Sequence, residues 1–380
     1  MRIKSAALIL LLFSLVLAGE SSAQEPEHIR VAVNQDAAAI RLKIKGFYEV
    51  LDSEGAKVLY RGKNLNTTAT AYAGGILLGQ LQSRLDKLLI RSYGQEPIII
   101  DGRNFRGDIQ LIKKANSRLL VVNRIDFEDY IKGILYHEVS HYWPVEALKA
   151  QAIACRSYAI SQVQQNSTCD FDATSDIYSQ VYGGKTSERF RTNRAVEETK
   201  GEVLMYQGKV LLAYFHATCA GHTEDASVLW NINLAPLKGV ACNFCKDSPH
   251  FNWYYVLSKK EIEEKLNNAG HKIKKIINIQ IASRNSSGRI ASLIISTEQK
   301  EANISAKDFR NILGPNIIRS NNFQVKVVKD DVVFEGLGWG HGVGLCQWGA
   351  YFMAKEGADY KKILGYYYPT AVISNPGPNP

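Results

Sequence analysis

Apolar and polar positions alternate in short runs from residue 28 to 123. IRVAV, IRLKI, GFYEVLD, KVLYRG, KLLIRSY, PIIID, DIQLIKK and RLLVVN follow one another, separated by turn residues such as Ser53-Glu54-Gly55 and Asp101-Gly102. This pattern predicts a strand-rich region. At Asp126 the period lengthens. Ile131, Ile134, Leu135 and residue 138 fall at i, i+3, i+4 and i+7, one face of a helix. Asp126 is placed to cap it, with Glu128 and Asp129 in the first turn. Pro144 opens a second helix, at the position where proline is best tolerated, running to about Gln164. Residues 202–217 return to strand, 258–269 read as helix, 276–297 as a hairpin and 306–313 as a short helix. Residues 335–370 read as a Gly-rich strand followed by a helix. The order is mixed, not a regular βαβ alternation, so the predicted class is α+β.

The first segment reads as an address. Arg2 and Lys4 precede an apolar run, Ala6 to Ala18, followed by Ser21-Ser22-Ala23. This is the layout of a signal peptide cut after Ala23. The run is shorter than the roughly 20 residues that span a bilayer, so no span is expected after cleavage. The mature chain is expected outside the cytoplasm, in the periplasm, in the cell wall or secreted.

Composition sharpens this. The 380 residues hold 46 Lys+Arg against 37 Asp+Glu, a net +9, with 46% hydrophobic and 22% charged residues. Those fractions exclude wholesale disorder. The charge is uneven, because residues 257–330 hold 14 Lys/Arg and seven Asp/Glu. No nucleic-acid motif accompanies it, so the basic segment is read as a surface for an anionic polymer.

One carboxylate is out of place. Residue 138, on the apolar face of the first helix, is Glu. A buried acid must be paired or have a raised pKa. In the first case Arg156 on the next helix is the expected partner. In the second, the acid holds its proton near neutral pH and can give it to a leaving group.

Around this residue the chain resembles a family. The run GILYHEVSHYWPVEALKAQAIACRSYAI (133–160) is similar to the signature of the SpoIID/LytB domain. SDIYSQVYGG (175–184), AYFHATCAGHTED (213–225), GLGWGHGVGLCQWGAYFMAKEG (336–357) and YYYP (366–369) agree in order. A Met usually follows the family's glutamate; here Val139 does. The resemblance implies a bacterial cell-wall protein. It is either a lytic transglycosylase cleaving MurNAc–GlcNAc bonds of peptidoglycan strands without stem peptides, or a non-enzymatic modulator of an N-acetylmuramoyl-L-alanine amidase. It implies Glu138 as the catalytic acid/base and Arg156 as its companion. It also implies a core over 120–256 and 335–372, a preceding β-rich region over 24–119, an inserted α+β lobe over 257–334 and a tail over 373–380.

The alternating Gly336, Gly338, Gly340, Gly342 and Gly344 are expected to lie on one face of a strand, leaving bare backbone that a ligand or another chain segment can approach. Trp339 and His341 lie opposite. With Tyr214, His216 and Gln347 they are the residues expected to bind glycan.

Cys219-x-x-His222 and Cys242-x-x-Cys245 have the spacing of a closed structural zinc site, with His216 and His250 as alternative fourth ligands. Some relatives are described as zinc-containing, but that resemblance implies a ligand set near Cys169 that lacks its His-Cys here. Cys155, Cys169 and Cys346 are left unassigned, a disulfide among them remaining open. No organic cofactor is expected. A last reading takes His137-Glu138-Val-Ser-His141 as the H-E-x-x-H of a zinc hydrolase.

Overall fold

The computed structural model describes residues 26–375 apart from 54, 95, 177 and 178, so the segment read as a signal peptide and the tail beyond 375 lie outside the described residues. Strands and helices are both abundant and mixed along the chain, in an α+β arrangement. The alternating N-terminal runs form one large sheet. Its path runs from Ala173–Thr174 through His28–Ala37, Leu119–Asp126, Asp108–Lys113, Lys87–Ser92, Ala39–Leu51 and Val58–Tyr72 to Gly75–Leu78 and Leu81–Ser83.

Eight α-helices follow among the described residues: α1 (Phe127–Glu138), α2 (Val145–Gln165), α3 (Phe190–Glu198), α4 (Ala226–Trp230), α5 (Lys259–Asn268), α6 (Ala306–Leu313), α7 (Gln347–Lys355) and α8 (Tyr360–Tyr367). α1 starts where its sequence predicts: the Asp126 side chain accepts from Asp129 N, and Glu128 and Asp129 occupy the first turn. It stops at Glu138, because Val139 is extended. Pro144 is the N-cap of α2, one residue outside the position expected.

α2 joins two cores. Leu148, Ala152, Cys155 and Ile160 pack with Ile131, Ile134 and Leu135 of α1 against the large sheet. Ala150, Ile153 and Ala154 face a second core that contains Cys219, Cys242, Cys245 and Cys346 with residues of α7 and α8. A helix packed on both sides is buried nearly all round, which its Ala-rich sequence permits. Glu146, at the start of α2, accepts from Tyr360 N at 2.9 Å and so docks the start of α8.

A third core lies within residues 253–334. There the strands Asn252–Ser258, Asp331–Leu337 and Phe323–Val328 form one antiparallel sheet, and Ile276–Arg284, Ile290–Thr297 and Glu301–Ser305 another. Ser258 and Ser305 cap α5 and α6.

The glycine segment corrects the sequence expectation. The strand Asp331–Leu337 ends before it, and Gly338, Gly340, Gly342 and Gly344 all have positive φ, from 71° to 115°. Their alternation therefore serves a looping chain, not a pleat. A Cβ on Gly344 would come within 2.0 Å of the Tyr214 carbonyl oxygen, and one on Gly342 within 3.0 Å of the Arg289 guanidinium. The bare backbone is taken up by protein, while Trp339 and His341 project from the intervening positions.

Candidate active site and thiolate cluster

Glu138 closes the buried face of α1. Its carboxyl keeps partial exposure, yet the protein around it pushes its pKa up to about 7, with a hydrogen bond from the Gln347 side chain as the opposing influence. Among the described residues no charged group contributes to this shift, so desolvation dominates. Burial, and then the Glu138 charge, raises the neighbouring Tyr158 phenol.

The expected pairing of Glu138 with Arg156 is not formed. Arg156 is fully buried and makes a bidentate bridge to Glu128, Nε to Oε1 at 2.8 Å and Nη2 to Oε2 at 2.9 Å. It also donates to the carbonyls of Glu202 and Val196. Residues 128 and 138 are ten apart on α1, so they face different directions. Arg156 ties α1 and α2 to the segment beyond α3 and is withheld from both the acid and any sugar.

The aromatic rings form two groups. In one, Tyr158 meets Tyr214 at 6.0 Å, and Tyr214 stacks on Trp230 at 4.4 Å and meets His341 at 5.9 Å. In the other, Trp143 meets Trp348 at 5.0 Å, Trp348 meets His250 at 6.2 Å, and His250 meets Trp339 at 4.8 Å. All of these rings are partly exposed. Arg319 lies over Trp339 at 4.7 Å. Burial pushes His341 down to about 3, and its Nδ1 accepts from Val343 N at 3.0 Å. His216 is a correction: it is 4% exposed, with Nδ1 against the Val343 carbonyl oxygen, so it lies beneath the surface and not on it. Trp143, Tyr158 and Trp230 were not singled out in the sequence. Only their aromatic character marked them, because no short-range pattern connects them to Glu138.

The H-E-x-x-H reading fails on geometry. α1 ends at Glu138, so His141 leaves the helix and cannot share a face with His137. His137 Nε2 meets Ser187 Oγ at 2.5 Å. His141 packs on Tyr136 and Tyr142.

The cysteines do converge, with one change of ligand. The sulfurs of Cys219, Cys242, Cys245 and Cys346 all lie within 4.8 Å of one another, every one buried. None is in a disulfide, and the Cys219 and Cys245 sulfurs are 3.5 Å apart. Tetrahedral Zn–S bonds of about 2.3 Å place sulfurs about 3.8 Å apart, so these four can hold a metal. The thiols of Cys219, Cys242 and Cys346 together hold Cys245 well below its ordinary value. His222 is not the fourth ligand: its Nδ1 faces the Thr223 carbonyl oxygen. His250 is not one either, since it sits among Trp339 and Trp348. Cys155 and Cys169 are free, one buried and one exposed.

The chain is similar to several known proteins. The stage II sporulation protein model matches residues 115–206, which contain α1, α2 and Glu138. A second model, a domain of unknown function, matches residues 237–344. The chain is 33% identical over 342 residues to an uncharacterized protein of Brachyspira hyodysenteriae, covering 90% of this chain and 91% of the other. It is 29% identical over 293 residues to an amidase enhancer of Bacillus subtilis, covering 64% of this chain and 40% of that protein. It is 30% identical over 282 residues to stage II sporulation protein D of Bacillus subtilis, covering 70% of this chain and 78% of that protein, and so it belongs to the stage II sporulation protein D (SpoIID) family.

Proposed function

We propose that the protein is an extracytoplasmic peptidoglycan lytic transglycosylase, acting on glycan strands without stem peptides, with Glu138 as single acid/base. The observation that carries this is the Glu138 carboxyl, which holds its proton to about 7, is hydrogen-bonded by Gln347 and is charge-isolated among the described residues. A retaining or inverting hydrolase typically uses two carboxylates. A lytic transglycosylase needs one. Protonated Glu138 gives its proton to the glycosidic oxygen as the muramoyl C1–O bond breaks. The muramoyl C6 hydroxyl then attacks C1 of the oxocarbenium-like centre, and the Glu138 carboxylate takes the hydroxyl proton. The products are a free GlcNAc hydroxyl end and a 1,6-anhydro-muramoyl end, and Glu138 returns to its starting state without water. Trp339, His341 and Tyr214, with Trp143, Trp348 and Trp230, offer ring faces to sugars, and Gln347 orients the acid. The four cysteines would hold a structural zinc, which would cross-link the loops and leave no open catalytic position.

A second reading is supported by the similarity to the amidase enhancer: the same surface binds glycan, or a wall amidase, without cutting. One experiment separates the two. Purified mature protein and Glu138→Gln are incubated with denuded strands, and anhydro-muramoyl ends are counted by mass spectrometry. The transglycosylase reading expects release by the wild type and a loss on the order of 10³-fold in the variant. Bound but uncut glycan with wild type, or full activity of Glu138→Gln, rejects it.

A further inference from the structure

We infer that the metal ion of the four-thiolate site is a positioning group for Glu138, acting through the single peptide step from Cys346 to Gln347. This rests on Glu138 being the acid, and it assigns the ion a role in the reaction beyond holding loops together.

Cys346 occupies three places at once. It is a corner of the cluster. It is the N-cap of α7, its sulfur accepting from Gly349 N at 3.4 Å, and it also accepts from Cys219 N at 3.3 Å. It directly precedes Gln347, which is buried and hydrogen-bonds Glu138. A neutral thiol is a poor cap compared with Ser, Thr, Asp or Asn. A metal-bound thiolate is negative, which suits a helix N-terminus and the two N–H donors aimed at it. The ion therefore completes the cap that fixes the first turn of α7, and with it Gln347.

Arg289 is an independent observation that negative charge belongs here. It is 3% exposed and donates to the Cys219 and His222 carbonyls at 2.7 and 2.8 Å, and its Nε has no hydrogen-bond partner. Among the described residues no carboxylate makes an ion pair with it. The nearby buried Glu224 bonds Asn285, Ser287 and Asp225 N instead. The Glu224 charge favours the buried guanidinium, reached through Ser287 and without an ion pair, and the Cys219, Cys346 and Cys245 sulfurs favour it next. A buried guanidinium with no directly paired charge is costly. A divalent ion with four thiolates carries two net negative charges and adds to what Glu224 supplies, so the loaded cluster serves both the sulfur cap and the buried cation.

The test uses the full mature chain with three readouts. The first is cobalt(II) in place of zinc. Wild type is expected to bind one equivalent with a four-thiolate spectrum, and Cys346→Ser to lose about a quarter of the thiolate charge-transfer intensity. Arg289→Met is expected to weaken the metal about 10-fold, as loss of an outer partner does. The second is the Gln347 side-chain amide resonance. Stripping the metal from wild type is expected to move it toward its position in Glu138→Ala, where the bond is gone. The third is kinetic: Cys346→Ser and Gln347→Ala each lower kcat about 10-fold with KM nearly unchanged, and the double variant is no worse than either. A three-thiolate spectrum in wild type overturns the site. A Gln347 resonance indifferent to metal overturns the coupling, including when Cys346→Ser fails to fold. If wild type cleaves no glycan, the transglycosylase reading falls, while the first two readouts still decide this inference.

Discussion

Glu138 and Arg156 show what two buried charges cost when one is paired and the other is not. In the unfolded chain the Glu138 carboxyl titrates near 4.5, and in the folded chain near 7. Between those values the folded state holds the extra proton, so its stability falls as pH rises through the window and reaches its floor above about 7. Glu138→Gln is therefore expected to be more stable than wild type by about 2 kcal/mol at about pH 8 and equal to it below about pH 4, after allowing for partial exposure. Thermal denaturation at the two pH values checks this. The same shift predicts that kcat falls as pH rises past about 7, because the acid must start protonated. The Arg156–Glu128 bridge behaves oppositely. Glu128→Gln leaves a fully buried guanidinium without its counter-charge and is expected to cost on the order of 3 kcal/mol in urea denaturation. Its surviving folded fraction should keep the wild-type pH profile, since Arg156 does not reach Glu138.

The glycine loop and α7 belong to the element scale. Residues 338–344 wrap against residues 214–218: Thr218 and Trp339 bridge, and Phe215–His216 pairs in parallel with Leu345–Cys346. At Gly338, Gly340 and Gly344 the approach is too close for a Cβ, which would come within 2.5 Å of the Thr218 carbonyl oxygen, 2.7 Å of the His216 Cβ and 2.0 Å of the Tyr214 carbonyl oxygen, respectively. Gly344→Ala places a Cβ against the Tyr214 carbonyl at φ +71°. It is expected to destabilise by about 3 kcal/mol, with Trp339 and His341 displaced as the loop shifts. Guanidinium denaturation and indole fluorescence check this. Gly349 on α7 is equally constrained, because a Cβ there would meet the Tyr367 hydroxyl and lie 3.1 Å from the Cys242 sulfur. The first turn of α7 thus has no freedom to slide while the cluster is intact.

At the scale of the molecule, the basic segment has its own core and meets the rest beside the aromatic rings. Lys307 donates to the Leu229 carbonyl, and a small cavity between α4 and α6 is lined by Trp230, Lys307, Arg310 and His341. Burial pushes Arg310 down to about 10, so it stays cationic at neutral pH. Muramic acid without stem peptides carries a free lactyl carboxylate, which this surface can attract. Binding of denuded glycan is expected to weaken on the order of 10-fold between about 0.05 and 0.5 M salt, measured by co-sedimentation. Salt-insensitive binding removes the electrostatic role. Among the described residues no helix is long and apolar enough to cross a membrane.

Local periodicity determined much of this. Asp126 as cap, the buried stripe of α1, α6 over 306–313 and the hairpin within 276–297 were legible because side-chain spacing reports which face is buried. For the same reason Glu138 stood out as an acid on an apolar face, to be either paired or raised in pKa, and only the structure chose between the two. Cys219, Cys242 and Cys245 were legible as short-range pairs. Tertiary structure alone decided which partner each group took. Cys346 lies 127 residues from Cys219, and no spacing rule reaches that far. Arg156 chose Glu128 because the packing of α1 on α2 turned residue 128, not 138, toward it. Alternating glycines mark an exposed backbone edge in either a strand or a loop, and only the path of residues 214–219 selected the loop. Sequence fixes what a segment must bury, whereas the long-range closure of the chain fixes against whom.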